Sequence, residues 1–265
     1  MDNFLIGFDD SRFLKSSTTS ADPNRLNWRC QLLLTQNQEL IRGQRVLDIG
    51  SHDGRFTYAC LKLGAEHVVG VEGRPQLIER AKENLRQEGF DSDSFEFIGG
   101  DIFDCLKGFT PREFDVVLCC GFLYHTVRQF EFFAEMRRLH PQALIIDTAV
   151  CQVPPVFETD PSIRQFLSNL RKEGNWHRPL QQSMNALIHG HYFVFIQESL
   201  EREGSTIDPT GVVAIPSDKA VEMLLELYGF AFQKVNWQAA EIPNWQLLED
   251  YKAGDRVSYT CKPVI

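Results

Sequence analysis

The chain has 265 residues, of which 43% are hydrophobic and 24% are charged, as is usual for globular proteins. It has no apolar run of about 18 residues, which excludes a transmembrane helix, and the acidic start MDNFLIGFDD lacks the basic region of a secretory signal. The net charge of −9 disfavours a large nucleic-acid interface, which usually needs a basic patch. The seven cysteines form no Cys-x-x-Cys pair, so we expect reduced thiols in a cytoplasmic protein.

The first 44 residues are predicted to be an N-terminal helical segment. Asp22-Pro23-Asn24 is a helix-start signal with Asn24 as a candidate N-cap. The apolar positions that follow predict one amphipathic helix that runs to Gly43; they are Leu26, Cys30, Leu33, Leu34 and Leu40.

Residues 45–149 alternate between short apolar strands and helices. The strands are predicted at about 45–49, 67–72, 95–99, 114–120 and 143–148, and a helix with one apolar face at 75–87. Such alternation is typical of a parallel, doubly wound sheet. The same pattern resumes with a helix from Ser217, a sixth strand at 230–237 and a last strand at 256–262.

A glycine turn follows the first predicted strand, between Gly50 and Gly54. A strand, a turn and a helix of this kind bring free backbone N–H groups to the carboxyl end of a parallel sheet. Dinucleotides and S-adenosylmethionine both bind at such turns. The dinucleotide fingerprint needs a glycine where His52 stands, and the carboxylate of Asp48 would repel a diphosphate but suits an ammonium and a sulfonium group.

The segment Asp48-Ile49-Gly50-Ser51-His52-Asp53-Gly54 resembles the first motif of the class I S-adenosylmethionine-dependent methyltransferases. The resemblance covers about residues 24–149 and 217–263. It implies an α/β fold with a doubly wound, seven-stranded, mostly parallel sheet, in which the last strand is antiparallel. Residues 45–149 and 217–265 would form the Rossmann-like domain that binds the cofactor, S-adenosylmethionine, and residues 150–216 a substrate cap inserted after the fifth strand.

The resemblance also implies cofactor roles for particular residues. Glu72 lies at the end of the second strand, roughly 20 residues after Gly50, where an acidic residue can accept hydrogen bonds from the ribose hydroxyls. Asp101 would accept the adenine amino group, and Arg29 would meet the methionine carboxylate unless it is simply exposed to solvent. The predicted cofactor-binding residues are Arg29, Asp48, Gly50, Ser51, His52, Gly54, Phe56, Glu72, Gly73, Asp101, Ile102, Cys120 and Gly121.

The loop after the fourth strand contains Leu123-Tyr124-His125, and it would lie beside the sulfonium methyl. This piece resembles a subgroup that includes small-molecule and sugar methyltransferases and the tRNA wobble-uridine carboxymethyltransferase. His125 is the candidate general base, because imidazole titrates near neutrality; Tyr124 and Asp147 are further catalytic candidates. A structural role for His125 is the alternative, since methyl transfer often needs only positioning.

Residues 150–216 interrupt the alternation and are rich in groups that can hold a polar acceptor. The predicted substrate-binding residues are Trp176, His177, His189, His191 and Tyr192. His189 and His191 lack an evident third ligand, so no metal site is predicted. The aromatic, strand-like run at 192–196 can belong to the cap or pair with a second chain in a homodimer.

These observations favour methyl transfer to an oxygen or nitrogen of a small, natural-product-like or sugar-like molecule. Asn-Pro-Pro-Tyr and Asp-Pro-Pro-Tyr, which mark methylation of amides and exocyclic amines, are absent from the loop after the fourth strand. Three alternatives stay open: a tRNA wobble-uridine methyl- or carboxymethyltransferase, a non-catalytic protein that binds S-adenosylmethionine, and a nucleotide-sugar or nicotinamide enzyme. The acidic charge counts against the first, the intact cofactor motifs against the second and the glycine pattern against the third.

Overall fold

The computed structural model describes residues 4–8, 12–16, 22–152 and 190–264. Among these residues, two α-helices precede the sheet, α1 (Pro23–Leu33) and α2 (Gln38–Ile41). The predicted single helix is wrong, because a short 3-10 turn at Thr35–Asn37 separates the two. The Asn37 amide donates a hydrogen bond to the Leu33 carbonyl at 2.8 Å, which satisfies the end of α1 and lets the chain turn.

The predicted N-cap of α1 is also wrong, because the observed N-cap lies two residues earlier in the chain. The carboxylate of Asp22, rather than the amide of Asn24, accepts a hydrogen bond from the Arg25 N–H at 3.1 Å. Pro23 then occupies the first turn, where its missing N–H costs nothing.

Seven strands form the main sheet. They are β1 (Arg45–Ile49), β2 (His67–Glu72), β3 (Phe95–Gly99), β4 (Val116–Cys120), β5 (Ala143–Ala149), β8 (Phe230–Lys234) and β9 (Arg256–Pro263). Their order across the sheet is β3-β2-β1-β4-β5-β9-β8. The first five in the chain are parallel, and β9 is antiparallel to both β5 and β8, which confirms the predicted fold class.

Six described helices follow α2. They are α3 (Arg55–Lys62), α4 (Pro75–Gln87), α5 (Ile102–Gly108), α6 (Gln129–Leu139), α7 (Asp218–Leu227) and α8 (Glu249–Ala253). None of the described helices is long and apolar enough to cross a membrane.

Apolar side chains cover both faces of the main sheet. Val46 and Val68 belong to the core layer shared with α1, α3 and α4, whereas Leu47 and Val69 belong to the layer shared with α5, α6 and α7. Successive strand residues therefore point to opposite faces and are buried on both. Because β1 to β5 are parallel, their carboxyl ends meet at one edge, and that edge carries the site.

A separate antiparallel hairpin consists of β6 (Phe193–Gln197) and β7 (Val212–Pro216). The aromatic run predicted as a strand is β6, whereas β7 was not predicted. The hairpin is anchored to the loop after β4, since the Ala214 N–H donates to the Thr126 carbonyl at 3.1 Å. The loop between β6 and β7 reaches the carboxyl edge of the main sheet.

Strand β8 ends three residues earlier than predicted. Asn236 accepts a hydrogen bond from the Ala239 N–H at 3.2 Å and starts a 3-10 turn at Trp237–Ala240. The Trp237 ring is stacked on Tyr251 at 3.7 Å between centroids, so this tryptophan belongs to the core beside α8 rather than to the sheet.

Candidate functional site

An open cleft lies at the carboxyl ends of β1, β2 and β4. Its volume is about 1120 Å³, counting the space at the mouth that is open to solvent. The walls come from α1, the loops after the parallel strands, the starts of α3 and α5, the β6–β7 loop and the start of β9.

The turn after β1 folds around the carboxylate of Glu72. The N–H groups of Gly50 and Ser51 donate to the Val71 carbonyl at 2.9 and 3.0 Å, and the His52 N–H donates to Glu72 Oε2 at 3.0 Å. Gly50 has a φ of +68°, and a Cβ atom there would stand 3.2 Å from the Cβ of Phe122. The turn therefore requires glycine at this position, both for its backbone conformation and for the close approach of the neighbouring loop.

Glu72 is held in place at the rim of β2. Its other oxygen, Oε1, accepts a hydrogen bond from the Arg74 N–H at 3.0 Å, and the side chain is nearly buried. Arg74 Nη1 also contacts Oε1 at 3.5 Å. A carboxylate has about four lone-pair sites, so Oε2, which accepts the His52 N–H, keeps the capacity to accept a further donor such as a ribose hydroxyl.

Asp48 lies behind the turn and is not on the wall of the cleft. It is buried, and its Oδ2 accepts a hydrogen bond from the Thr57 hydroxyl at 2.8 Å. Burial raises the pKa of Asp48 to about 6, and the negative charges of Glu72 and Asp53 contribute to the same direction. Gly54 is also behind the wall, where a Cβ atom would approach Ala81 of α4 to 3.1 Å.

Two buried polar atoms beside the cleft have no hydrogen-bond partner among the described residues, Arg29 Nε and Ser51 Oγ. Both residues line the cleft. Buried polar atoms are almost always paired, so these two atoms fit a ligand that carries a carboxylate and hydrogen-bonding groups. The Arg29 side chain is held in place, because its Nη2 donates to Asp147 Oδ2 at 2.6 Å and its guanidinium lies 4.8 Å from the centroid of the Phe56 ring.

Asp147 is the centre of a buried charge cluster behind Arg29. Its two oxygens accept hydrogen bonds from Arg29 Nη2 at 2.6 Å, Ser258 Oγ at 2.8 Å, Tyr251 Oη at 3.0 Å and Arg256 Nη1 at 3.1 Å. Burial alone would raise the pKa of Asp147, but the two arginines hold it below its ordinary value. A fully buried, ionised and fully bonded carboxylate is a poor proton acceptor, so the predicted catalytic role of Asp147 is not supported by its position.

Arg256 connects this cluster to the wall of the cleft. Its Nη2 donates to Tyr124 Oη at 3.0 Å, and its Nε donates to Asp250 Oδ2 at 3.1 Å. Both Tyr124 and Arg256 line the cleft. The predicted catalytic candidate Tyr124 is therefore held by a guanidinium that the sequence analysis did not identify.

His125 faces the cleft from the loop after β4. Its Nδ1 lies 2.7 and 2.9 Å from the two carboxylate oxygens of Glu198, which follows β6. Glu198 also accepts a hydrogen bond from the Thr206 N–H at 2.7 Å. Glu198 was missed in the sequence because a single glutamate after a strand carries no local signal.

The opposite wall consists of the start of α5 and its neighbours. Asp101 caps α5, and its Oδ1 accepts hydrogen bonds from the Phe103 N–H at 2.9 Å, the Asp104 N–H at 3.2 Å and Arg128 Nη1 at 3.1 Å. The Arg128 guanidinium stands 3.8 Å from the centroid of the Phe103 ring. Arg128 and Phe103 were not predicted as site residues.

The loop between β6 and β7 covers the mouth of the cleft. Gly204 to Asp208 contribute to the wall, and the Arg74 guanidinium donates a hydrogen bond to the Ser205 carbonyl. The Ile207 side chain lies against Gly73, where a Cβ atom would meet it at 2.5 Å. Because no glycine motif or charge pattern marks this loop, its position could not be predicted from the sequence.

Residues 41–184, more than half of the chain, match a family model described as a methyltransferase domain. The chain belongs to this family, that of the class I S-adenosylmethionine-dependent methyltransferases. The expected family and its cofactor, S-adenosylmethionine, are thereby confirmed.

Relatives of this methyltransferase act on different acceptors, judged by their names. The ribosomal protein L11 methyltransferase of Lachnospira eligens is 26% identical over 153 residues, which are 55% of this chain and 48% of that protein. A 23S rRNA (uracil-C5)-methyltransferase of Neisseria lactamica is 39% identical over 69 residues, 26% of this chain and 15% of that protein. The chain thus spans about half or less of the length of these curated relatives.

A solved structure shares the fold over nearly the whole chain. The N-terminal domain of EvdMO1, crystallised in the presence of S-adenosylhomocysteine and D-fucose, has a TM-score of 0.58 and 16% identity, covering 93% of this chain and 84% of that one. At this identity the likeness concerns the fold alone.

Most of the predicted methyltransferase cofactor residues converge on the cleft. Those on its wall are Arg29, Gly50, Ser51, His52, Phe56, Glu72, Gly73, Asp101, Ile102, Cys120 and Gly121. Their assignment as ligands stays a prediction.

The predicted substrate residues are not gathered there. Trp176, His177 and His189 lie outside the described residues. His191 is exposed and Tyr192 half-buried, and Tyr192 Oη donates to the Cys151 carbonyl at 3.0 Å, away from the cleft. Within the described ranges, no group of three or more metal-ligating side chains occurs.

Proposed function

We propose that this protein transfers a methyl group from S-adenosylmethionine to an oxygen or nitrogen atom of a small molecule. The observation that carries the proposal is the cleft wall itself, where the Glu72 carboxylate, the turn at Gly50 and the unpartnered Arg29 Nε come together in the described part of the chain. These groups match the ribose hydroxyls and the methionine carboxylate of one ligand.

Different side chains of the protein would bind different parts of that ligand. Arg29 would pair with the carboxylate, Ser51 would accept a hydrogen bond near the ammonium group, and the buried charge of Asp48 would favour the cationic end of the ligand. Glu72 would accept the ribose hydroxyls and Asp101 the adenine amino group. When bound, S-adenosylmethionine supplies an electrophilic methyl group on a sulfonium.

His125 is the proposed proton acceptor. Its Nε2 makes no hydrogen bond with the described residues, whereas its Nδ1 is occupied by Glu198. Nε2 would take the proton of an acceptor hydroxyl or amine while that oxygen or nitrogen forms its bond to the methyl carbon. The carbon–sulfur bond would break in the same displacement, its electron pair would stay on sulfur, and S-adenosylhomocysteine would leave as the product. Such positioned proton transfer typically contributes about 10²- to 10⁴-fold.

Two observations support a small acceptor. The net charge of −9 disfavours a large nucleic-acid footprint, and residues of the β6–β7 loop line the same cleft as His125. The ribosomal protein and rRNA named for the curated relatives are the competing acceptor classes.

The cofactor half of the proposal is tested by calorimetric titration with S-adenosylmethionine, S-adenosylhomocysteine and NAD. We expect the first two to bind and NAD not to bind. Glu72→Ala removes hydrogen bonds to a charged acceptor, so affinity for S-adenosylhomocysteine should fall roughly tenfold to hundredfold. Glu96→Ala, the same change at an exposed site on the neighbouring strand β3, should leave affinity unchanged. Binding of NAD alone would refute the cofactor assignment.

The acceptor half is tested with methyl-labelled S-adenosylmethionine and three separate pools: hydroxylated and amino-bearing metabolites, bulk tRNA, and ribosomal protein. Label in the metabolite pool that disappears with His125→Asn supports the proposal. Label that enters only tRNA or only ribosomal protein contradicts the small acceptor and favours the corresponding macromolecule.

A further inference from the structure

A carboxylate from the β6–β7 hairpin holds the imidazole of His125. The His125 and Glu198 side chains are only 18% and 15% exposed, and the nearest N···O distance is 2.7 Å. The two residues are 73 positions apart in the chain, so the contact is produced by the docking of the hairpin rather than by local geometry.

Glu198 is itself held from two sides. Its backbone N–H donates to the Gly211 carbonyl at 2.8 Å, and its Oε2 accepts from the Thr206 N–H at 2.7 Å. The hydrogen bond to His125 lowers the pKa of Glu198 in opposition to burial, which raises it. The residue therefore presents an ionised carboxylate in a fixed position.

We propose that Glu198 is the positioning residue of His125: it retains the proton on Nδ1, so that Nε2 is the unprotonated nitrogen that faces the cleft, and it stabilises the imidazolium formed during the reaction. A carboxylate that accepts a hydrogen bond from Nδ1 sets both the tautomer and the orientation of a histidine base. This inference rests on the proposed function, because it assumes that His125 takes the acceptor proton.

The first test is spectroscopic and needs no acceptor. In protein labelled with ¹⁵N-histidine at alkaline pH, where imidazole is neutral, His125 should show a protonated Nδ1 and an unprotonated Nε2; His125→Asn assigns its resonances. Glu198→Ala should give a mixture of tautomers. Glu201→Gln, an exposed glutamate on the same loop, is the matched control and should keep the wild-type spectrum. An unprotonated Nδ1 in the wild type, or an unchanged spectrum in Glu198→Ala, would overturn the inference.

The second test separates positioning from folding. With the metabolite pool as acceptor, Glu198→Ala should lower kcat about tenfold to hundredfold, while KM for S-adenosylmethionine and the affinity for S-adenosylhomocysteine stay at wild-type values. Glu198→Gln keeps an oxygen that accepts from Nδ1 but lacks the charge, so its kcat should lie between those of the wild type and Glu198→Ala. A parallel loss of S-adenosylhomocysteine affinity would show a merely structural role.

The two proposals fail in different ways. If wild-type protein does not bind S-adenosylhomocysteine, the proposed function fails, whatever the state of His125. If it binds and transfers label but both Glu198 variants match the wild type in kcat, only the role of Glu198 is refuted.

Discussion

At the scale of single residues, Asp48 is a group whose environment differs strongly from water. It stands at the end of β1, behind the turn that folds around Glu72, and burial raises its pKa to about 6. Ionising this carboxyl in the folded protein therefore costs free energy that the unfolded chain does not require. The sequence analysis predicted Asp48 as a cofactor-binding residue. The structure places it behind the wall of the cleft, so a contribution to binding would come from its charge rather than from a contact on the wall.

We expect Asp48→Asn to flatten the pH dependence of stability. The raised pKa means that the folded state binds the proton more tightly, so the free energy of unfolding should fall as pH rises from about 4 to about 6, by roughly 2 to 3 kcal/mol from this group. The amide introduced by the substitution cannot ionise, and this part of the slope should vanish. Urea unfolding measured across that pH range provides the check.

Asp104→Asn is the control for that experiment, since Asp104 is an exposed carboxylate at the start of α5. Its slope should equal that of the wild type. Equal slopes for Asp48→Asn and the wild type would contradict the assigned origin of the effect.

At the scale of elements, the β6–β7 loop is the part of the wall that is joined to its neighbours by side-chain contacts rather than by a ladder of strand hydrogen bonds. The Arg74 guanidinium holds it through the Ser205 carbonyl, and Arg80 Nη1 contacts Glu203 at 3.4 Å. The parallel strands, in contrast, are tied into the sheet along their whole length. The β6–β7 loop should therefore open more readily than the side of the cleft that is formed by β1 and β2.

Arg74→Ala should increase amide hydrogen exchange across residues 204–208 by several-fold to tenfold, because one hydrogen bond is worth about 1 kcal/mol. The amides of β1 and β2 should exchange as in the wild type. Arg86→Ala provides the comparison, since Arg86 lies on α4, the helix that begins directly after Arg74, and makes an exposed contact with Glu83. Exchange in the loop that is the same in both variants would show that Arg74 does not hold it.

The elements that could be predicted from the sequence are those whose residues show a recognisable pattern within a short stretch of the chain. The bounds of β1, β2, β3 and α4 follow from short apolar runs and a one-sided helical pattern. The turn at Gly50 could be predicted because residues 48–54, which form it, are consecutive in the chain. Glu198 and Arg256 reach the same cleft through a docked hairpin and an antiparallel strand, whose placement depends on tertiary packing. The break after Leu33 was missed because apolar spacing continues across it while the Asn37 amide ends the helix.

At the scale of the whole molecule, the cluster around Asp147 ties distant segments together. It joins α1 through Arg29, β5 through Asp147 itself, and β9 through Arg256. Two guanidinium groups share one fully buried carboxylate, so its removal would take away the Arg29–Asp147 ion pair and leave Arg256 with Asp250 as its carboxylate partner. The loss of this carboxylate should therefore lower the free energy of unfolding of the whole protein.

Asp147→Asn should lower the free energy of unfolding at neutral pH by about 3 to 5 kcal/mol, as expected when one partner of a buried ion pair is lost. Because the pKa of Asp147 lies below its ordinary value, the same stabilisation should disappear in the wild type as pH falls below the ordinary carboxyl range. Asp104→Asn removes the same charge from an exposed pair and should cost less than about 1 kcal/mol. A loss of similar size in both variants, measured by denaturant unfolding, would refute the role of the cluster.

The antiparallel direction of β9 has a consequence for the order in which the walls of the cleft are assembled during synthesis. Arg256 pairs with Ala149 at the carboxyl end of β5, so a residue near the end of the described chain completes a wall that begins with Arg29. During synthesis the five parallel strands leave the ribosome first, and domains generally fold as units while the chain emerges. The nascent sheet therefore has most of the residues predicted to bind the cofactor well before it has the guanidinium beside Tyr124, and the wall is completed only when β9 emerges and inserts between β5 and β8.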